Sequence, residues 1–175
     1  MCIRDSLLSG SLDGLVWVWD AVTGEQLLQM AGHPGGVWSV AWSPDGARVV
    51  AGGGHGAVRV WDAVTGEQLL QLAGHSAGVR SVAWSPDGAR LASCADDGVN
   101  VWSSDTGQPV GWRLRTLPRG NVTVWDATTQ ELLGASDEAW RWLGWQVPGS
   151  SERWPAESFG PLPALTREQG RHTES

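Results

Sequence analysis

Four histidines and a recurring set of aspartates are the residues of this chain best suited to chemistry. A histidine supplies a metal ligand or a general base near neutral pH. His33 and His75 stand 42 positions apart, with His55 between them and His172 near the end of the chain. Because His33 and His75 recur at one period, they read as the same structural position in successive units, not as two ligands that converge. Asp20, Asp45, Asp62 and Asp87 suggest paired carboxylates for acid–base work or calcium binding. Each lies in a turn or at a strand end, where hydrogen bonds to the local backbone account for an aspartate. Around them the sequence offers no serine–histidine–aspartate grouping, phosphate loop or CxxC pair. The glycine-rich AGGGHG at 51–56 reads as a strand end and hairpin, since no helix follows to present N–H groups to a phosphate. Cys2 and Cys94 have neither a disulfide framework nor metal-ligand spacing, and Cys94 reads as a small buried hydrophobe. No catalytic residue, metal or cofactor is expected.

The elements that carry these residues are repeated. Residues 16–42, VWVWDAVTGEQLLQMAGHPGGVWSVAW, recur almost unchanged at 58–84 as VRVWDAVTGEQLLQLAGHSAGVRSVAW, and a third copy begins at VNVW with Trp102. Within the second copy, Val37 to Trp42 alternates as a strand, with Val37, Ser39 and Ala41 on one face and Trp38, Val40 and Trp42 on the other. Ser43-Pro44-Asp45-Gly46 carries turn chemistry. Strands follow over 47–53, 57–61 and 67–72, separated by His55-Gly56 and Thr65-Gly66. The pattern predicts a four-stranded antiparallel meander. A sandwich would not need so regular a period, and a period of about 40–45 residues suits four strands per propeller blade.

The residues resemble the WD40 family. Gly32-His33 and Gly74-His75 match its GH dipeptide, Trp19-Asp20, Trp61-Asp62 and Trp125-Asp126 match its WD dipeptide, and SVAWSPDGAR at 39–48 and 81–90 is typical of it. The resemblance covers residues 7–135 and implies an all-β WD40 β-propeller fragment: an open arc of about three four-stranded blades and a degenerate partial blade. It also implies a buried polar network in each blade, made of the GH histidine, a strand hydroxyl, a turn aspartate and the WD tryptophan. The third copy supplies all four as His75, Ser93, Asp97 and Trp102. The second keeps His33 and Trp61 but has Ala51 and His55 in the other places, so packing should hold it. The first supplies Ser9, Asp13 and Trp19. Partner contacts in the family cluster where otherwise matching copies differ, near the narrow end of the ring. This points to Trp38 and Arg80, residue types that often anchor interfaces, with Leu12 and Asp96 beside them; the plainer reading of Trp38 is packing on a neighbouring blade.

By this reading residues 1–6 form a leader foreign to the protein, since MCIRDS fits no repeat and reads as translated adapter sequence. Blades occupy 7–136 (7–31, 36–72, 78–117 and a degenerate 118–136). A tryptophan- and proline-rich capping segment spans 137–165, running as coil from Pro148, and a disordered tail spans 166–175. All twelve basic residues are arginine, and tyrosine is absent, a bias that suggests a GC-rich bacterial genome. The net charge of −7 repels nucleic acid, and no apolar run is long enough to span a membrane. The chain therefore reads as a cytoplasmic, non-catalytic module that scaffolds or senses other proteins. It resembles the WD40 arrays that follow signalling domains of the NACHT or STAND kind, with upstream domains of a larger bacterial protein missing. The alternative is a small-ligand or enzymatic propeller using its central channel, which would need titratable groups at the axis. The strand starts there offer mostly Gly, Ala, Ser and Val.

Overall fold

A computed structural model of the chain describes residues 6–31, 33, 35–136, 144–146 and 153–155. They fall into two units, Met1–Val110 and Gly111–Ser175. The first unit is all-β. Its strands are β1 (Ser6–Gly10), β2 (Val16–Asp20) and β3 (Gln26–Met30); β4 (Val37–Trp42), β5 (Arg48–Gly53), β6 (Ala57–Asp62) and β7 (Gln68–Ala73); then β8 (Val79–Trp84), β9 (Arg90–Ala95) and β10 (Gly98–Ser103). Consecutive strands pair antiparallel within each group. The strands of the second group lie within one residue of the ranges expected from sequence. The three sheets do not close on themselves.

The turns follow from single side chains. Asp62 Oδ1 accepts the backbone N–H groups of Val64 and Thr65 at 2.8 Å, and Asp20 does the same for Val22 and Thr23. These backbone donors hold both carboxyls below the usual carboxylate range. Ser43 Oγ donates to Asp45 Oδ1 at 2.6 Å, and Asp45 accepts the Ala47 N–H at 3.0 Å; Ser85 and Asp87 repeat the arrangement. In the third copy Ser103 replaces the aspartate, and its hydroxyl gathers only the Thr106 N–H at 3.4 Å. The strand that should follow is reduced to one bridge, Trp102 with Pro109, because proline has no N–H for a ladder.

The sheets pack in a repeating way. One apolar cluster contains Val16, Val18, Met30, Val37, Val49 and Trp61. Another contains their counterparts Val58, Val60, Leu72, Val79, Leu91 and Trp102. The approach is close: a Cβ on Gly10 would stand 2.3 Å from Val37 Cγ1, and one on Gly52 would stand 2.5 Å from Val79 Cγ1 and 2.8 Å from Val82 Cγ1. Glycine is required there by the neighbouring sheet, not by backbone conformation.

Two expectations are corrected. The simple alternation in β4 fails because its pairing with β5 shifts register between Val37 and Ser39. This β-bulge at Trp38 turns Val37 and Val40 to the same side, where both meet Gly10. β8 carries the same shift between Val79 and Ser81, at Arg80. Cys94 is exposed, not buried. It occupies the third-copy position of Gly10 and Gly52, and its side chain emerges on the outer face of β9.

The second unit contains β11 (Trp112–Thr116), β12 (Val122–Asp126) and β13 (Leu132–Ala135) in an antiparallel meander. Trp112 pairs with Asp126 as Arg48 pairs with Asp62, so β11 and β12 have the register of β5 and β6. Both hairpins turn through a 3-10 segment with a left-handed residue, His55 at φ 62° and Arg119 at φ 62°. Two short strands, β14 (Gly144–Gln146) and β15 (Arg153–Pro155), form an antiparallel ribbon. β15 lies where the sequence suggested coil. The rest of the expected cap and tail, and residues 1–5 of the expected leader, lie outside the described residues; Ser6 opens β1. Among the described residues no helix is long and apolar enough to cross a membrane.

Candidate functional site

The bulges in β4 and β8 build the site. A bulge takes one side chain out of the inward–outward alternation and re-aims it at the strand end. Trp38 and Arg80 are the re-aimed residues. Trp38 leaves its own sheet and lies over the loop before β8, where a Cβ on Gly78 would meet the ring at 2.4 Å and 2.5 Å. The indole is thus seated on the neighbouring repeat while remaining 48% exposed. Trp38 thus packs on the neighbouring repeat and keeps about half of its surface exposed.

Arg80 and Asp96, chosen from sequence as separate positions, form a forked ion pair. The Arg80 Nε–H donates to Asp96 Oδ1 at 2.6 Å, and Nη2 donates to Oδ2 at 2.8 Å. The hydrogen bonds and charge of Arg80 hold the Asp96 carboxyl below the usual range, and Asp96 raises the guanidinium above its own. Both side chains are more than half exposed, so the pair orients two charged groups at the surface and adds little to stability. Leu12, 81% exposed, sits in the β1–β2 turn, and its backbone lies against Gly36, two residues before Trp38. The His55 ring lies against Gly35 in the same loop. The structure therefore lines up Leu12, Trp38, and Arg80 with Asp96 across successive sheets at one end of the first unit.

The polar network lies inside. His75 Nδ1 is 2.6 Å from Asp97 Oδ1, and His75 Nε2 is 2.8 Å from Ser93 Oγ, which also accepts the Trp102 Nε1–H at 2.8 Å. One proton arrangement satisfies the row: Trp102 donates to Ser93, Ser93 donates to Nε2, and the Nδ1–H donates to Asp97. Burial disfavours the Asp97 charge, but the N–H of Ser76, the His75 ring and the Ser76 hydroxyl outweigh it and hold the pKa down. The four residues that the resemblance named for a structural network thus meet in one row, which includes a serine–histidine–aspartate line. Ser93 is 2% exposed, and its lone pair and proton serve Trp102 and His75. The line braces the blade.

In the first sheet Trp19 Nε1–H donates to Ser9 Oγ at 2.8 Å, while Asp13 turns to its own turn and accepts the Leu15 N–H at 3.1 Å. In the second, the buried His33 ring lies 6.4 Å from that of Trp61. A Cβ on Gly53 would come 3.1 Å from the His33 Cε1 atom. Sequence reasoning missed the bulges, although the Val-x-x-Val spacing shared by β4 and β8 carried the signal. Among the described residues no three His, Cys, Asp or Glu side chains are placed to hold a metal.

Comparison with known proteins agrees with this geometry. The family described as WD domain, G-beta repeat, matches residues 24–62 and 66–103. Coronin-7 of Mus musculus is 44% identical over 45 residues, covering 26% of this chain and 5% of the relative. WD repeat-containing protein 1 of Gallus gallus is 31% identical over 61 residues, covering 30% of this chain and 10% of the relative. The chain thus spans a tenth or less of the length of these curated relatives. Among solved structures, the computationally designed Ika8 protein superposes with a TM-score of 0.58 at 29% identity, covering 75% of this chain and 46% of that one.

Proposed function

The chain is a WD40-repeat protein, with matched repeats at 24–62 and 66–103, and from that premise we propose that it is a non-catalytic protein-interaction module. WD40 repeats commonly mediate protein–protein contacts. The observation that carries the reading is the placement of Trp38 in a bulge, seated on Gly78 and half exposed beside the Arg80–Asp96 fork. Association is dominated by such features: a rigid aromatic anchor and an oriented arginine, both held before the partner arrives. In this proposal the module scaffolds or senses within a larger, cytoplasmic bacterial protein, and Leu12, Trp38, Arg80 and Asp96 meet its partner.

The test is comparative capture from the source organism. The Trp38→Ala/Arg80→Ala pair should lower recovery of a discrete partner at least about tenfold, the range expected for losing interface anchors, with an unchanged unfolding midpoint. Gly78→Val should do likewise, since it takes away the seat of the indole and leaves Trp38 in place. Recovery profiles identical to those of the intact protein for both variants would defeat the proposal.

A further inference from the structure

Where the second sheet meets the third, one tryptophan is held in a particular way. Trp84, the last residue of β8, packs with Ala41 against the cluster that contains Val50 and Val60. Arg48 lies over its ring, 5.1 Å from the centroid. The same guanidinium donates from Nη1 to the Ser104 carbonyl at 2.8 Å and stands 3.5 Å from Asp105 Oδ1. The indole thus lies between an apolar floor and an arginine lid, an arrangement favoured by the negative face of the ring. A carbonyl and a carboxylate sit beyond the arginine.

The outer face of the third sheet repeats this berth. Its strand pairing puts Ala83, Ala92, Val101 and Arg90 in the places of Ala41, Val50, Val60 and Arg48. Val50 and Val60 are fully buried, whereas Ala92 and Val101 are only partly buried, and Ala83 and Arg90 are exposed. These four residues, with Trp84, help line a cavity of about 210 Å³. That is below the roughly 300–1,000 Å³ typical of small-molecule sites, so it suits one large side chain. Alanine in place of Val50 deepens its floor. Arg48 and Arg90 also stand alike toward their own turns. Asp45 and Asp87 are held below the usual carboxylate range by the hydroxyls of Ser43 and Ser85, then by a backbone N–H, with the arginine charge adding to both. That relation leaves Arg48 able to cap Trp84, and Arg90 has the same freedom toward an incoming ring.

Cys94 limits what can fill the berth. It takes the place of Gly52, where a Cβ would stand 2.5 Å from Val79 Cγ1 and 2.8 Å from Val82 Cγ1. A whole sheet therefore cannot come down on β9 as β8 comes down on β5. A second copy does not bring the ring in the manner of the repeat either. Among the described residues its first sheet holds only β1, β2 and β3, with no strand in the place of β4 or β8 to carry a tryptophan like Trp42 or Trp84. We propose that this groove receives a single tryptophan side chain of a partner protein, seated on Ala83, Ala92 and Val101 under Arg90, with an acidic residue of the same partner beside the guanidinium. The site goes beyond the surface at Trp38, since Trp84 and Arg90 lie at the opposite ends of β8 and β9 from Arg80 and Asp96.

The experiment is an NMR titration of the intact chain with the blocked dipeptide acetyl-Trp-Asp-amide, and with acetyl-Leu-Asp-amide for comparison. The tryptophan peptide should give saturable shifts at the Ala83, Ala92 and Val101 amides, and the leucine peptide should bind at least about fivefold more weakly. Arg90→Gln should weaken the tryptophan peptide about threefold or more, and Ala92→Leu, which fills the groove, should abolish saturation. Trp38→Ala should leave it unchanged, so this site and the surface at Trp38 stand or fall separately. Absence of saturation in the wild-type chain overturns the proposal, as does equal binding of the leucine peptide or indifference to Ala92→Leu. Shifts at the same amides on concentrating the chain without peptide would place a second copy in the groove and overturn it too. The comparison of the two peptides on the wild-type chain decides the matter if a variant fails to fold.

Discussion

Replacing Ser93 by alanine is expected to lower the free energy of unfolding by about 3 kcal/mol, because it strips a partner from two buried groups at once, each worth roughly 1–3 kcal/mol when left unsatisfied. Ser93 Oγ accepts from Trp102 and pairs with His75 Nε2, both at 2.8 Å, and the Trp102 and His75 side chains are almost fully enclosed. Urea unfolding should show the midpoint falling with an unchanged slope. In the Trp102→Phe background the same substitution should cost clearly less, since one orphaned donor is gone. The network also fixes the sign of a pH effect. The Asp97 carboxyl is held low in the folded state, so its stabilisation is complete above its unfolded pKa of about 3.9 and is lost as pH falls from there through the lower folded value. Asp97→Asn should flatten stability in that acid window. A Ser93→Ala protein as stable as the parent would show that the row of hydrogen bonds is incidental.

The second large effect concerns the contact between sheets. Gly52→Val should destabilise by about 3 kcal/mol, at the upper end of overpacking costs, because its first side-chain atom already falls 2.5 Å and 2.8 Å from Val79 and Val82. The comparison that makes this specific is Cys94→Val. Cys94 holds the same place in the third copy but is exposed, so its change should stay within about 0.5 kcal/mol. The two variants end with the same side chain at the same strand position, at Gly52 against the neighbouring sheet and at Cys94 in an exposed place. Equal effects would contradict the repeating interface described for the first unit.

The pair also shows where sequence reading succeeded and where it stopped. The period, the four-stranded units and the turns were legible because each rests on local chemistry: an aspartate gathering two N–H groups, or a serine–proline–aspartate–glycine turn. The row His75, Ser93, Asp97 and Trp102 was legible as a set of residue types at fixed repeat positions. Its hydrogen bonding into a single line was not, since the partners lie up to 27 residues apart. Trp38 and Arg80 were singled out only because the copies differ there. Their physical distinction, the bulge, hides in the three-residue spacing of Val37 and Val40, which simple alternation overrides. Cys94 misled because a small apolar residue in a strand reads as core, and its exposure depends on a neighbour that local sequence does not reveal.

The proposed function makes the end of the first unit at Trp38 a protein-binding surface. A photoreactive amino acid placed at position 38 in the full chain, activated in cells of the source organism, tests this most directly, with position 64 as the comparison because Val64 is 72% exposed in the turn after β6. A discrete protein adduct is expected from position 38 that is absent from position 64 and lost when Arg80 is also replaced by alanine. No adduct from position 38, or the same adducts from both positions, would contradict it.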